Sequence, residues 1–268
     1  MRTLRALPTM LRVGMTSSLA YRAEMVVWML TMTMPLVSLA LWSAVASDGP
    51  VGNGPQRFAP ADFAAYFLAT LIVRQLTSSW VVWQINMEIK SGTLSQRLLK
   101  PVHPLVAYAA ENLGALPLRA AMVVVLVPFA LILGGTQRLP NDPAIWVIWG
   151  TSLLGAWAIH FLTMVVIGTL AFRLESSSSI TDLWMATFMI LSGYLVPLDL
   201  LPGWFVTLTR WLPFRYTVSF PVETVIGRLG AQDALRDLGI QWAFVLGLAT
   251  LAEWSWRRGV RRFAAFGG

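Results

Sequence analysis

Four side chains that can carry charge or move protons fall inside long apolar stretches: Arg74, Glu111, Arg119 and His160. An arginine at the centre of a membrane helix costs about 2.5–3.5 kcal/mol on insertion scales, so it must face protein or water. Glu111 and Arg119 stand eight residues apart and share one helical face. Two roles fit this set. Arg74 pairs with Glu111 or with an acid on a second chain, or the charges line a path through the membrane. His160, near Thr163, is either a buried histidine bonded to a neighbouring helix or part of a proton relay.

Other chemistries find no residues to carry them. His103 and His160 are the only histidines, they lie on opposite sides of an apolar run, and no H-E-x-x-H pattern occurs. The chain has no cysteine, so thiolate metal sites and disulfides are excluded. No metal site is expected. Ser192 has no histidine near it in the same leaflet, as an intramembrane hydrolase would need. The only lysines are Lys90 and Lys100, and neither follows a glycine, so there is no G-x-x-x-x-G-K-[S/T] phosphate loop. Catalytic residues and cofactors are expected to be absent from this chain.

The elements that position these residues follow from composition. Of 268 residues, 56% are apolar and only 12% charged, about half the roughly 25% charged content of soluble domains. That much apolar surface cannot be hidden behind a polar exterior. Six apolar runs, about 23–45, 62–84, 113–134, 144–170, 180–197 and 240–256, have the length of membrane helices. The expected class is an all-α integral membrane protein with six spans, the third beginning as early as Leu105. With the N-terminus inside, the cytoplasmic connections hold twelve Lys and Arg and the outer ones six, four of these in one long connection. The asymmetry places both termini in the cytoplasm. Trp42, Trp146, Trp149 and Trp242 near outer ends, and Trp80, Trp83, Trp254 and Trp256 near inner ends, form the matching interfacial belts. The net charge of +7 is spread between apolar runs and needs no nucleic acid. Residues 1–22 read as an interfacial helix bent at Pro8. The run from Ala23 to Val45 is too long for a cleaved signal.

One segment interrupts the apolar pattern. EIKSGTLSQRLLKPVHPL (88–105) encloses a turn or two of helix between Gly92 and Pro101, with Leu94 and Leu98 on one face. Either it is a small rigid foot pressed into a groove on a soluble partner, or an interfacial turn whose charges only set orientation. Further on, LSGYLVPLDLLPGWFVTLTRWLPFRYTVSFPVETVIGRL (191–229) is proline-broken at Pro197, Pro202, Pro213 and Pro221. It presents Leu201, Trp204, Phe205, Leu208 and Trp211 as an apolar side. It is either a re-entrant segment or a surface loop anchored in lipid.

These two stretches, in this order and on a six-span layout, resemble a branch of bacterial permease subunits of ATP-binding-cassette type-2 exporters. The matching elements are an acidic residue before G-T-L and L-L-K-P in the first stretch, and S-G-x-L-x-P-L-D, L-P, W-L-P-F and P-V-E in the second. The resemblance implies that residues 85–105 form a coupling segment that docks on an ATPase through Gly92, Thr93, Leu94, Arg97, Leu98 and Lys100. On this view Leu94, Arg97 and Leu98 form an exposed docking face. It implies an external re-entrant segment over 197–239, with Pro197, Trp204, Leu208, Trp211 and Glu223, and a basic cytoplasmic tail over 257–268. The whole chain would be a single permease domain in the bacterial inner membrane. ATP and magnesium would sit on two copies of the partner ATPase, and a second permease, identical or related, would complete the pathway in the lipid bilayer. The rival is a secondary transporter or another polytopic protein not driven by ATP, but no internal repeat or mid-membrane cluster of acids supports it.

Overall fold

The computed structural model describes residues 8–9, 11–12, 14–16, 33–52, 57–134, 139–174 and 177–266. Most of the expected interfacial helix 1–22, the first part of the first apolar run with Glu24, and the last two residues of the basic tail lie outside these. Short helical pieces occupy 8–9, 11–12 and 14–16.

Helix α1 (Met34–Val45) completes the first apolar run and tightens into a 3-10 turn at Ala46–Asp48. Helix α2 (Pro60–Thr77) starts where Pro60 fixes the first turn and the Asp62 carboxylate accepts the Ala59 N–H at 2.8 Å. It stops at Ser78, whose backbone is extended, and α3 (Val81–Lys90) resumes after Trp80. The second apolar stretch therefore runs to residue 90 rather than 84, with a break at 78–80. Polar Gln84, Asn86 and Glu88 hid its last turns from a hydropathy reading. A five-residue helix, α4 (Leu94–Leu98), follows.

Helices α5 (Pro104–Gly114) and α6 (Leu116–Gly134) form the third stretch, which bends by 57° inside α6, between Ala121 and Leu126. Pro128 within α6 removes one backbone donor and loosens the helix there. In α7 (Pro143–Thr169) the Asp142 carboxylate caps the Ala144 N–H at 2.8 Å. Helix α8 (Ser178–Leu191) precedes two short helices, α9 (Gly203–Arg210) and α10 (Ser219–Val225). Helix α11 (Ala231–Phe266) is the longest, because the polar turns AQDALRDLG and RRGVRRF extend the apolar run at both ends.

Among the described residues there are helices and turns but no strand, only one isolated bridge between Val51 and Phe58. Among the described residues, 60–90, 143–172 and 231–263 are long and apolar enough to cross a membrane, and the two arms 104–121 and 126–133 make a fourth when counted as one bent span. The regions 34–48 and 178–191 are shorter apolar helices.

Helix α7 is the axis of the packing, touching α2, α3, α10 and, along most of its length, α11. At the end that carries α4, Val81, Ile85, Leu94, Tyr108, Val165 and Trp256 form one core. At the opposite end Phe58, Phe63, Phe67, Phe188, Tyr194 and Val218 form a second, largely aromatic one. A third joins α7 to α11 through Ile159, Tyr216, Phe220 and Val245. Helix α2 is buried on nearly every side, whereas α11 leaves Leu235, Leu246, Leu251 and Trp254 exposed. That exposed apolar surface is what a lipid-facing or partner-facing helix presents.

The chain leaving α8 turns at Gly193, where φ is +84°. The Tyr66 hydroxyl donates to the Gly193 carbonyl at 2.8 Å, fastening the turn to α2. A Cβ at this position would lie 2.5 Å from that hydroxyl. Gly193→Ala is expected to cost about 1–3 kcal/mol. Thermal unfolding of the purified variant measures it, and an unchanged melting temperature would contradict the tight turn.

Candidate functional site

The segment after α3 is built to be rigid. Gly92 adopts φ +73°, a left-handed conformation glycine takes at no steric cost. The Ser95 hydroxyl then donates to the Gly92 carbonyl at 2.8 Å, and Ser91 and Thr93 share a hydroxyl contact of the same length. Helix α4 follows, and Pro101 ends the element two residues after Leu99.

The faces of α4 are not those expected. Leu94 is wholly buried in the core beneath it, and Leu98 packs against the same core. Arg97 points inward too. Its guanidinium bonds both Glu88 oxygens, at 2.7 and 2.9 Å, and both Glu111 oxygens, at 2.8 and 3.1 Å. It lies 4.1 Å from the Tyr108 ring centre, while the Tyr108 hydroxyl donates to Glu88 at 2.6 Å. Gln84 donates to Glu111 at 2.6 Å. Burial works against the Arg97 charge, but the hydrogen bonds to Glu111 and Glu88 outweigh it and hold the pKa above the ordinary arginine value. Arg97 thus ties α4 to the end of α3 and to α5.

The expectation of an exposed face made of Leu94, Arg97 and Leu98 is therefore corrected. Spacing of three and four put them on one side, but two apolar groups and a carboxylate-paired cation are drawn to the protein. The outward side consists of Gly92, Thr93, Ser95, Gln96, Leu99 and Lys100, with Leu99 86% exposed.

The pairing of Arg74 with Glu111 does not occur, because Glu111 is taken by Arg97. Arg74 instead lies over the rings of Phe188, at 4.6 Å, and Tyr194, at 5.8 Å. Arg119 donates to the Ser78 carbonyl at 2.5 Å and lies 4.5 Å from the Trp80 ring centre. His160 packs beside Trp184 and Phe188. Asn112 donates to the Ser79 hydroxyl at 3.2 Å and accepts from the Trp157 indole at 2.8 Å. The break at 78–80 is thus bound from α5 and α6, and Arg74, Arg119 and His160 gather round it. Glu111 stays outside that group.

In the segment 197–239, Arg215 and Glu223 form a buried ion pair at 2.6 Å. The Ser219 hydroxyl donates to Glu223 at 2.5 Å, and Asp237 on α11 lies 3.5 Å from Arg215. Burial pushes the Glu223 carboxyl up while Arg215 pulls it back. Burial also works against Arg215, but Glu223, Asp237 and Asp199 outweigh it and raise its pKa. Pro197 is buried, whereas Trp204, Leu208 and Trp211 are exposed. Trp211, Asp233, Ile240, Phe244 and Leu248 line an open groove of about 900 Å³ between this segment and α11.

Reading the sequence missed Gln84, Glu88 and Tyr108 as partners of Arg97, Ser78 and Ser79 as a helix break, and Arg215 as the partner of Glu223. Only Glu88 carried a signal, as the acid preceding G-T-L.

A family model described as ABC-2 family transporter protein matches residues 32–267 of this chain. A search of the curated proteins found no match.

Proposed function

The chain belongs to the ABC-2 transporter family, and from that premise we propose that it is the membrane half of an ATP-driven exporter, worked from the cytoplasm through α4. As a family member it is a multi-pass permease subunit that pairs with an ATP-binding subunit in a membrane complex. Beyond that, the proposed complex has two ATPase copies, which hold ATP and magnesium, and a second permease, identical or related, facing this one across the pathway. The proposed topology has six crossings, with α1 and α8 as the short spans, a re-entrant external segment, and both termini on the cytoplasmic side of a bacterial inner membrane. The twelve-to-six distribution of Lys and Arg supports that orientation.

The construction of α4 carries the reading. A five-residue helix fenced by Gly92 and Pro101 is clamped by Arg97 to two span ends, so force applied to it reaches α3 and α5 without being lost in a flexible loop. An interfacial turn that only carried charge would need no such clamp. The ATPase dimer, closing on ATP, would favour one arrangement of the spans over the other, since a ligand shifts an equilibrium only by its differential binding.

The docking surface proposed is Gly92, Thr93, Ser95, Gln96, Leu99 and Lys100. Leu99→Asp combined with Gln96→Glu is expected to lower recovery of the ATPase with the permease at least tenfold, because a charge is placed on the apolar anchor. Membrane insertion should be unaffected. Undiminished co-purification would refute this face.

A further inference from the structure

The break at 78–80 gathers positive charge that the described protein does not balance. Arg74, Arg119 and His160 are 5%, 2% and 2% exposed. Arg74 Nε and Nη1, Arg119 Nη2 and His160 Nδ1 are buried without hydrogen-bond partners. Charged side chains are almost never buried without a partner, because the cost of dehydrating them goes unrecovered. Among the described residues no carboxylate forms an ion pair with Arg74, Arg119 or His160, and Arg74 and His160 stand against the same Phe188 ring. The aromatic rings under Arg74 and Arg119 offset only part of that cost. Their fixed positions also matter. Arg119 is held by the Ser78 carbonyl and Arg74 by its place one turn before Ser78.

We propose that the break between α2 and α3 binds a small monovalent inorganic anion, chloride in size and charge, held by Arg74 and Arg119. The arginines neutralise it through their free N–H groups, Arg74 Nε and Nη1 and Arg119 Nη2. The anion joins α2 to α6 at the point where the second apolar stretch is discontinuous. It is a structural ion that sets how the span hinges, independent of the cargo and of the ATPase.

The test uses the full-length chain in lipid nanodiscs, with chloride exchanged for gluconate at constant ionic strength. Chloride is expected to raise the melting temperature saturably, on the order of 5 °C at a hundredfold excess over its Kd. The ³⁵Cl resonance should broaden with the same saturation. Sulfate should not substitute, since a second charge and greater size do not fit, whereas a general salting effect would favour sulfate. Arg74→Gln and Arg119→Gln should each abolish the chloride dependence. The wild-type titration stands even where these variants fail to fold. Equal melting temperatures in chloride and gluconate would overturn the proposal and assign neutralisation to a carboxylate of the protein, as would stabilisation that follows sulfate without saturating.

Discussion

Arg97→Ala is expected to abolish ATP-driven transport while leaving the ATPase bound. The guanidinium ties α4, which carries it, to α3 through Glu88 and to α5 through Glu111. Removing it leaves two adjacent carboxylates held only by Tyr108 and Gln84, at a cost of about 1–3 kcal/mol for the lost charged hydrogen bonds. The larger effect is mechanical, because α4 then keeps its outward face but loses its attachment. Arg97→Lys should recover only part of the activity, since an ammonium cannot bond two carboxylates bidentately in one plane. Transport into inverted vesicles, with co-purification measured on the same preparations, separates the outcomes. Loss of ATPase binding in Arg97→Ala would return Arg97 to the docking face, and full transport would remove it from the coupling path. The contrast with Leu99→Asp is the point: one variant should break docking, the other transmission.

Glu223→Ala is expected to have the largest effect on stability. It leaves Arg215, 4% exposed, without its principal partner, with only Asp237 at 3.5 Å to compensate. Breaking a buried pair from one side costs about 3–5 kcal/mol. At about 2–4 °C per kcal/mol, the melting temperature should fall by roughly 10 °C. Because the damage is an unpaired charge rather than a lost contact, the double variant Glu223→Leu with Arg215→Met should restore most of it. If the double variant melts no higher than Glu223→Ala, the pair is needed for more than mutual neutralisation. The pair also seats α10 against α2 and α7, so the single variant should disturb the external end first, reported by loosening of the turn that Tyr66 fastens at Gly193.

The positions of the apolar helices were legible from hydropathy, because lipid demands long apolar runs whatever packs beside them. Gly92 and Pro101 marked α4 for the same reason: φ freedom and the missing N–H act locally. The side of α4 that faces outward was not legible. Leu94, Arg97 and Leu98 share a face by spacing, but whether it meets solvent or protein depends on Glu88 and Glu111 arriving from two different helices. The break at 78–80 contains neither glycine nor proline, so no local propensity announces it. It is held by Asn112 and Arg119, which are 33 and 41 positions from their partners Ser79 and Ser78. Arg215 and Glu223 sit on two separate short elements, so no helical spacing pairs them, and their burial depends on α10 packing against α2 and α7.

What the sequence determined by itself was a helical membrane chain whose apolar pattern is interrupted by a short helix between Gly92 and Pro101, since composition, period and turn residues act over a few positions. The tertiary structure alone decided which charges meet. Arg97 takes Glu111, Arg74 receives no carboxylate from the described residues, and Arg119 holds a helix break, because the choice between ion partners in a low-dielectric interior turns on distances of a few ångströms between helices far apart in the chain.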